Sequence, residues 1–303
     1  MSKNNGKSKF FYKILFVIFL IIFIVSCILT INILFIEPYL NNKKMDEIHD
    51  IYYKNDPSTP NENPPEINLD ELLAINKDIK GWIKINNTPI DYPVLYSDYY
   101  LYRDYKKNDT KYGSIFLDNI CIIENSPKNI LIHGHHMNNG SMFAKICNYR
   151  DLNFYKENPV FKFDSIIEKG QWKVISAFIT NTNPDDGELF YYLQSDFKDK
   201  SSFLNYVHKV RLRSNINTPV DVNEDDKLIT LSTCSYEMKD FRTVVVARKV
   251  RENEDVNVDV SLARYNNNPL YPDAYHQKIR SAKPLETTFE EALKNNQISW
   301  YKK

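Results

Sequence analysis

The residues best equipped for chemistry in this chain are one cysteine and one short cluster of histidines. Cys234 closes an apolar run, "KLITLSTC", in a sequence of 303 residues with four cysteines and six histidines. His133, His135 and His136 sit together in a second run, "LIHGHHMNNGSMF". A thiol that attacks a carbonyl needs a base or acid to move protons, and a donor for the charge that develops on the substrate. The histidine cluster is the best source of that base, because His49, His208 and His276 lie in stalk, helix and tail patterns. Two blander readings compete. A cysteine at a strand end can be a packing residue. His133 and His135 would share a strand face and could be two zinc ligands. A structural zinc site takes four ligands and a catalytic one three plus water, and no further cysteines or carboxylates stand at a familiar spacing.

The third group comes from hairpin geometry. "KLITLSTC" (227–234) and "TVVVARKV" (243–250) are separated by eight residues, Ser235 to Arg242. A connection that short favours antiparallel pairing, so the end of one strand lies beside the start of the next. Arg242 is thereby carried toward Cys234. Its guanidinium could hold a thiolate or an oxyanion; it could equally be a solvated charge in the polar turn "KDFR". Spacing alone leaves both open.

The elements that must position these groups read mostly as strands. "GWIKIN", "TPIDYPVLY", "GSIFLD" (113–118), "NILIHGHH" (129–136) and "WKVISAFIT" (172–180) are rich in β-branched and aromatic residues between turn signals. Helical spacing predicts helices over 142–149 and 197–211, and a short one near Glu71 capped by Asn68. A capping-box spacing of Thr287 and Glu290 predicts another in the tail. The pattern is that of a mostly antiparallel β-barrel or sandwich with a few inserted helices.

Before this domain, Ile14 to Ile36 is an uncharged run of 23 residues. As a helix it extends roughly 34 Å, enough to span a bilayer core of about 30 Å. It is too long for the core of a cleaved signal peptide and lacks a small-residue cleavage site. Lys3, Lys7, Lys9 and Lys13 precede it with no acid before Glu37, which places 1–13 in the cytoplasm and all that follows 14–36 outside. Residues 37–66 contain Pro57, Pro60, Pro64 and Pro65 and read as a stalk and linker, with 41–54 able to prolong the membrane helix. Residues 67–250 form the expected domain. Residues 251–303 are a polar extension with no visible chemistry. Cys121, Cys147 and Cys234 fall outside the membrane, an odd number, so at least one thiol is free or pairs between chains; nothing in the sequence supports a Cys121–Cys147 bond. Equal counts of 39 acidic and 39 basic residues give no case for nucleic acid as a partner.

Taken together, "TLSTC", an Arg at the head of the next strand, the upstream "GHHM…GSMF", "GSIFLD" and "INKDIKGWIKINNTPIDYPVLY" resemble the sortases, most of all class B, over roughly residues 67–250. That resemblance implies an eight-stranded sortase-type β-barrel with inserted helices, preceded by the transmembrane helix. It selects His135, directly after Gly134, as the catalytic histidine, with Cys234 as nucleophile and Arg242 as the essential arginine; Arg248 does not match. Ser232, Tyr192, Leu193 and Asp98 correspond to substrate-binding positions. Two features depart from the family. The residue after the cysteine is often acidic but is Ser235 here, and the loop "VLYSDYYL" is shorter than usual.

The activity implied is cysteine transpeptidation on the surface of a Gram-positive cell. A C-terminal sorting signal resembling Asn-Pro-x-Thr is cleaved after Thr through a thioester, and the acyl group passes to an amine of peptidoglycan or lipid II. The resemblance implies no cofactor or metal. A free thiol near pKa 8.5 and a free imidazole near 6.5 are mostly neutral at about pH 7, so the reactive ion pair is a minor population unless a cation favours the thiolate. Other wall-acting cysteine enzymes fit less well. An L,D-transpeptidase usually has Gly before its cysteine, where this chain has Thr233. A papain-like enzyme places its cysteine at a helix start upstream of its histidine, whereas Cys234 follows His135 by 99 residues. A non-catalytic binding protein on the same fold, and pilin polymerisation within the family, are the remaining alternatives.

Overall fold

The computed structural model describes residues 5–53 and 69–302. The chain divides into two units, residues 1–66 and 67–303. The Pro-rich linker and the Asn68 cap lie outside the described residues.

The first unit is helical from α1 (Asn5–Ile31) through a π-turn (Asn32–Ile36) into α2 (Glu37–Tyr52). The π-turn has a local cause. Pro38 has no N–H to give the carbonyl four residues back, and the Glu37 N–H bonds instead to the Asn32 carbonyl, five residues back. The side chains of Phe16, Phe19, Phe23 and Phe35 stand exposed around the helix. A helix apolar on all sides and long enough to cross a bilayer suits lipid as its solvent.

The second unit is built on eight strands: β1 (Ile79–Lys84), β2 (Asp91–Tyr96), β3 (Ile115–Leu117), β4 (Asn129–His133), β5 (Val160–Ser165), β6 (Gln171–Asn181), β8 (Leu228–Ser235) and β9 (Phe241–Lys249). They close in the order β1-β2-β3-β4-β8-β9-β6-β5. Pairing is antiparallel except between β2 and β3 and between β4 and β8. This is the eight-stranded barrel expected. A small side sheet pairs β7 (Ile216–Asn217) with β10 (Arg264–Tyr265). Strand β5 is not among the expected strands, although its "VFKFDS" does alternate.

Helices α3 (Leu69–Ile75), α4 (Leu152–Glu157), α5 (Lys200–Arg213), α6 (Asp273–Ile279) and α7 (Phe289–Lys294) complete the unit. The helix expected over 142–149 is a 3-10 segment, Ala144–Arg150. Helix α5 starts three residues later than its apolar spacing suggests, because Asp199 and Ser202 form the capping box. In α7 the box is Thr288 and Glu291, one residue beyond the expected pair. Thr287 instead meets His208 Nε2 at 2.9 Å.

An eight-stranded barrel has room inside only for side chains. Helix α5 therefore packs outside, where Phe203, Leu204, Val207 and Val210 bury against Leu228, Val244, Val246 and Phe178. Alternation along β8 and β9 puts Leu228, Thr230, Ser232 and Cys234 on that outer face, with Arg242, Val244 and Val246. The polar C-terminal residues do not trail away from the barrel. Phe289 of α7 enters the α5 cluster, and Val222 N–H donates to the Trp300 carbonyl at 2.9 Å. Arg251 holds Asp221 and Asp226, each at 2.7 Å.

Candidate active site

The outer face of β8 opens step by step toward its end. Leu228 is covered by the α5 cluster. Thr230 Oγ1 lies 3.5 Å from the Tyr206 hydroxyl of α5. Ser232 Oγ lies 2.9 Å from the Tyr192 hydroxyl, both residues buried. Cys234 follows, half-buried. Its antiparallel partner on β9 is Arg242, and Arg242 is paired in turn with Thr180 on β6. Directly opposed residues share a face, with Cβ atoms about 5 Å apart. The hairpin thus carries Arg242 to the same face as Cys234, where its Nη1 donates to the Phe241 carbonyl at 3.1 Å. The connection is shorter than expected, because Ser235 belongs to β8 and Phe241 to β9, leaving 236–240 as the loop.

Strand β4 brings the histidines to the same end. It runs parallel to β8, with His133 opposite Ser232. The strand stops there, short of the 136 expected. Gly134 sits so tightly that a Cβ would come within 2.4 Å of Ile115 Cδ1 and 2.8 Å of Phe143. Past that point the two chains still run together. Gly134 N–H donates to the Ser232 carbonyl at 3.2 Å, and Thr233 Oγ1 donates to the Gly134 carbonyl at 2.8 Å.

Each histidine has a different partner. His133 Nε2 donates to the Asp118 carboxylate at 2.8 Å, and this bond holds Asp118 below its usual range. His136 Nδ1 donates to the Cys234 carbonyl at 2.9 Å, with its ring tilted by 35° against that of Tyr236 at 4.3 Å. His135 Nε2 meets the Leu101 carbonyl at 2.7 Å, and its ring lies 5.3 Å from that of Tyr102. A carbonyl only accepts, so Nε2 of His135 carries a proton and Nδ1 is the nitrogen left to exchange one. No hydrogen bond joins the His135 ring to the Cys234 thiol among the described residues.

All four cysteines are free thiols. Burial separates those in the barrel unit. Cys121 is fully buried and its thiol is pushed up to about 11. Burial also raises Cys147, whose Sγ lies 3.3 Å from Thr243 Oγ1 and 3.9 Å from the Cys234 carbonyl. Arg248 lies on the outer face with Arg242 but is fully buried and bound to Glu254 at 2.6 and 2.7 Å. It is not available to a substrate.

Of the residues expected to contact substrate, Ser232 and Tyr192 are brought together and bonded to each other. Burial raises the Tyr192 phenol above its ordinary value, and the Ser232 bond opposes that. Leu193 packs against the α5 cluster. Asp98 is exposed at the start of a 3-10 segment, Asp98–Tyr102, and its N–H bonds to Asn119 Oδ1 at 3.0 Å. That same segment supplies Leu101 and Tyr102 to His135. Neither is visible as a site residue in the sequence: a main-chain acceptor leaves no signature, and Tyr102 is one of 21 tyrosines. Ser235 faces away from Cys234 and donates to the Glu237 carboxylate, which also binds Arg150.

The comparisons with known proteins identify the barrel. The Sortase domain family matches residues 83–250. Sortase B of Listeria monocytogenes is 35% identical over 204 residues, which is 66% of this chain and 80% of the relative. A Staphylococcus aureus sortase B–substrate complex superposes with a TM-score of 0.63 at 29% identity, covering 71% of this chain and 99% of that one. A sortase B structure complexed with triglycine gives a TM-score of 0.61 at 29% identity over 71% and 99%. With a half-open cysteine and an arginine on one rung at the end of an eight-stranded barrel, and matched by that family over more than half its length, the chain belongs to the sortase family of cysteine transpeptidases, in its class B.

Proposed function

We propose that Cys234, His135 and Arg242 carry the transpeptidation, with residues 67–250 as the catalytic domain. The observation that carries this reading is the shared rung of Cys234 and Arg242, with the thiol half-open beside the end of β4. The thiolate attacks the Thr carbonyl of a sorting signal resembling Asn-Pro-x-Thr, and the carbonyl π pair moves onto oxygen. Arg242 donates to that oxyanion. As the tetrahedral adduct collapses, the C–N bond breaks and Nδ1 of the His135 imidazolium gives its proton to the leaving amine, while Nε2 stays on the Leu101 carbonyl. The thioester is opened by an amine of peptidoglycan or lipid II, with His135 now taking the proton. The solved relatives support both halves, one bound to substrate and one to triglycine.

Ser232, Tyr192, Leu193 and Asp98 are proposed to line the signal groove, and the Ser235–Glu237 pair to stand where relatives carry an acid. Residues 14–36 anchor the chain, with 1–13 cytoplasmic and the catalytic domain outside. One apolar helix fit to span a bilayer supports the anchor, and the lysines before it support the orientation. The test is turnover of a fluorogenic sorting-signal panel by the full chain in detergent, with and without an amine. Wild type should yield both cleaved and amine-linked product and a thioester adduct on Cys234. Cleavage that survives Cys234→Ala would sink the reading.

A further inference from the structure

The pair at Cys234 and Arg242 sits on the last rung but one of the β8–β9 ladder, with only Ser235 and Phe241 beyond it. Ladder ends fray unless something holds the loop. The loop at 236–240 is held by residues far away in sequence. Lys278 Nζ of α6 donates to the Glu237 carbonyl, and Arg150 binds the Glu237 carboxylate. The Phe241 ring lies 6.4 Å from that of Tyr275, also on α6. The other end of α6 meets a second loop. Gly187, at φ 122°, lies so close to Asp273 that a Cβ there would come within 2.8 Å of it. Gly187 belongs to the connection that carries Tyr192 toward Ser232, and its carbonyl accepts from Asn181 Nδ2 at 2.9 Å. A short helix from beyond residue 250, outside the segment matched by the family, therefore touches both loops that flank the thiol.

We infer that α6 is a positioning element for the active site, acting through Lys278 on the loop that joins Cys234 to Arg242. The inference rests on the proposed roles of those two residues. By tying the Glu237 main chain, Lys278 keeps the terminal rungs of the ladder closed and Arg242 on the rung of Cys234. The C-terminal segment thus contributes to catalysis without touching substrate. Lys278 bonds at an exposed site, so its replacement leaves the fold intact.

The test compares wild type, Lys278→Ala, Lys278→Arg and Cys234→Ala as full chains in the peptide transpeptidation assay, together with the rate at which iodoacetamide alkylates Cys234. Lys278→Ala should lower kcat about three- to tenfold, the scale of one ordinary hydrogen bond at an exposed site, with KM and melting temperature unchanged. Alkylation should slow in parallel, and Lys278→Arg should restore both. Wild-type kcat and alkylation in Lys278→Ala, with Cys234→Ala inactive, would overturn the inference alone, as would a change confined to KM. Activity in Cys234→Ala would instead overturn the catalytic roles on which it rests.

Discussion

Cys234 and Arg242 face each other across a single rung of antiparallel sheet, eight residues apart in sequence and one rung from the ladder's end. The register therefore fixes their partnership, and no long-range fold is needed to find it. Arg242→Ala should lower kcat/KM by about 10²–10³, the usual loss for one oxyanion donor. Arg242→Lys should recover little, because a single ammonium cannot reproduce the planar fork. Steady-state kinetics on a sorting-signal peptide check this; a lysine variant near wild type would mean that charge alone suffices.

Two neighbouring histidines are predicted to separate cleanly. His135→Ala should lose about 10²–10⁴ in kcat, the range for a general acid–base group. His133→Ala should keep turnover within about tenfold, because its Nε2 is committed to Asp118. Its cost should appear in stability, at about 1 kcal/mol for one lost side-chain hydrogen bond. The bond depresses Asp118, so its stabilisation is present above pH 3.8 and is lost as pH falls through the folded value. Denaturant unfolding of both variants at pH 7 and pH 3 measures the difference. A dead His133→Ala beside an active His135→Ala would reverse the assignment.

The C-terminal segment should loosen in mild acid. His208, facing Thr287, Glu286 and Lys209, and His276, facing Ser281, Lys283 and Asp273, are both held below the ordinary value of 6.5, chiefly by burial. The fold favours their neutral forms, so the unfolded chain takes up protons first. Stability is intact above pH 6.5 and falls as pH drops through that value toward the folded ones. Hydrogen exchange across 270–300 should rise between pH 7 and pH 5, and His208→Gln with His276→Asn should flatten the response. Exchange that is independent of pH over that range would count against it.

Phe289 anchors the same segment in the α5 cluster, with Tyr301 at 5.3 Å and Trp300 at 5.8 Å. Phe289→Ala should destabilise the domain by about 3 kcal/mol, the lower end for a buried phenylalanine. Thermal unfolding reads this directly. A change under about 1 kcal/mol would show that the α5 face needs no cover.

The Cys234–Arg242 rung and the barrel strands are legible in the sequence because both depend on short-range pattern. The β8–β9 hairpin needs only two apolar runs and a short gap. Strand β4 reads too long for a long-range reason: the stop at His133 follows from Ile115 and Phe143 closing on Gly134. The tail reads only as a polar extension because its ties are scattered single residues. Arg251, Phe289 and Lys278 each find a partner far away in the chain, and no local period marks them.

The acceptor that orients His135 belongs to the main chain at Leu101. No replacement of that side chain deletes it. A scan that trims side chains one by one would pass over residue 101 and report nothing, although the imidazole depends on it. Only a detour of the backbone through 98–102, by insertion or deletion, takes the oxygen away. The proton address of the histidine is thus inherited from the length of a loop, and drift in loop length is where lineages of this enzyme would gain or lose it.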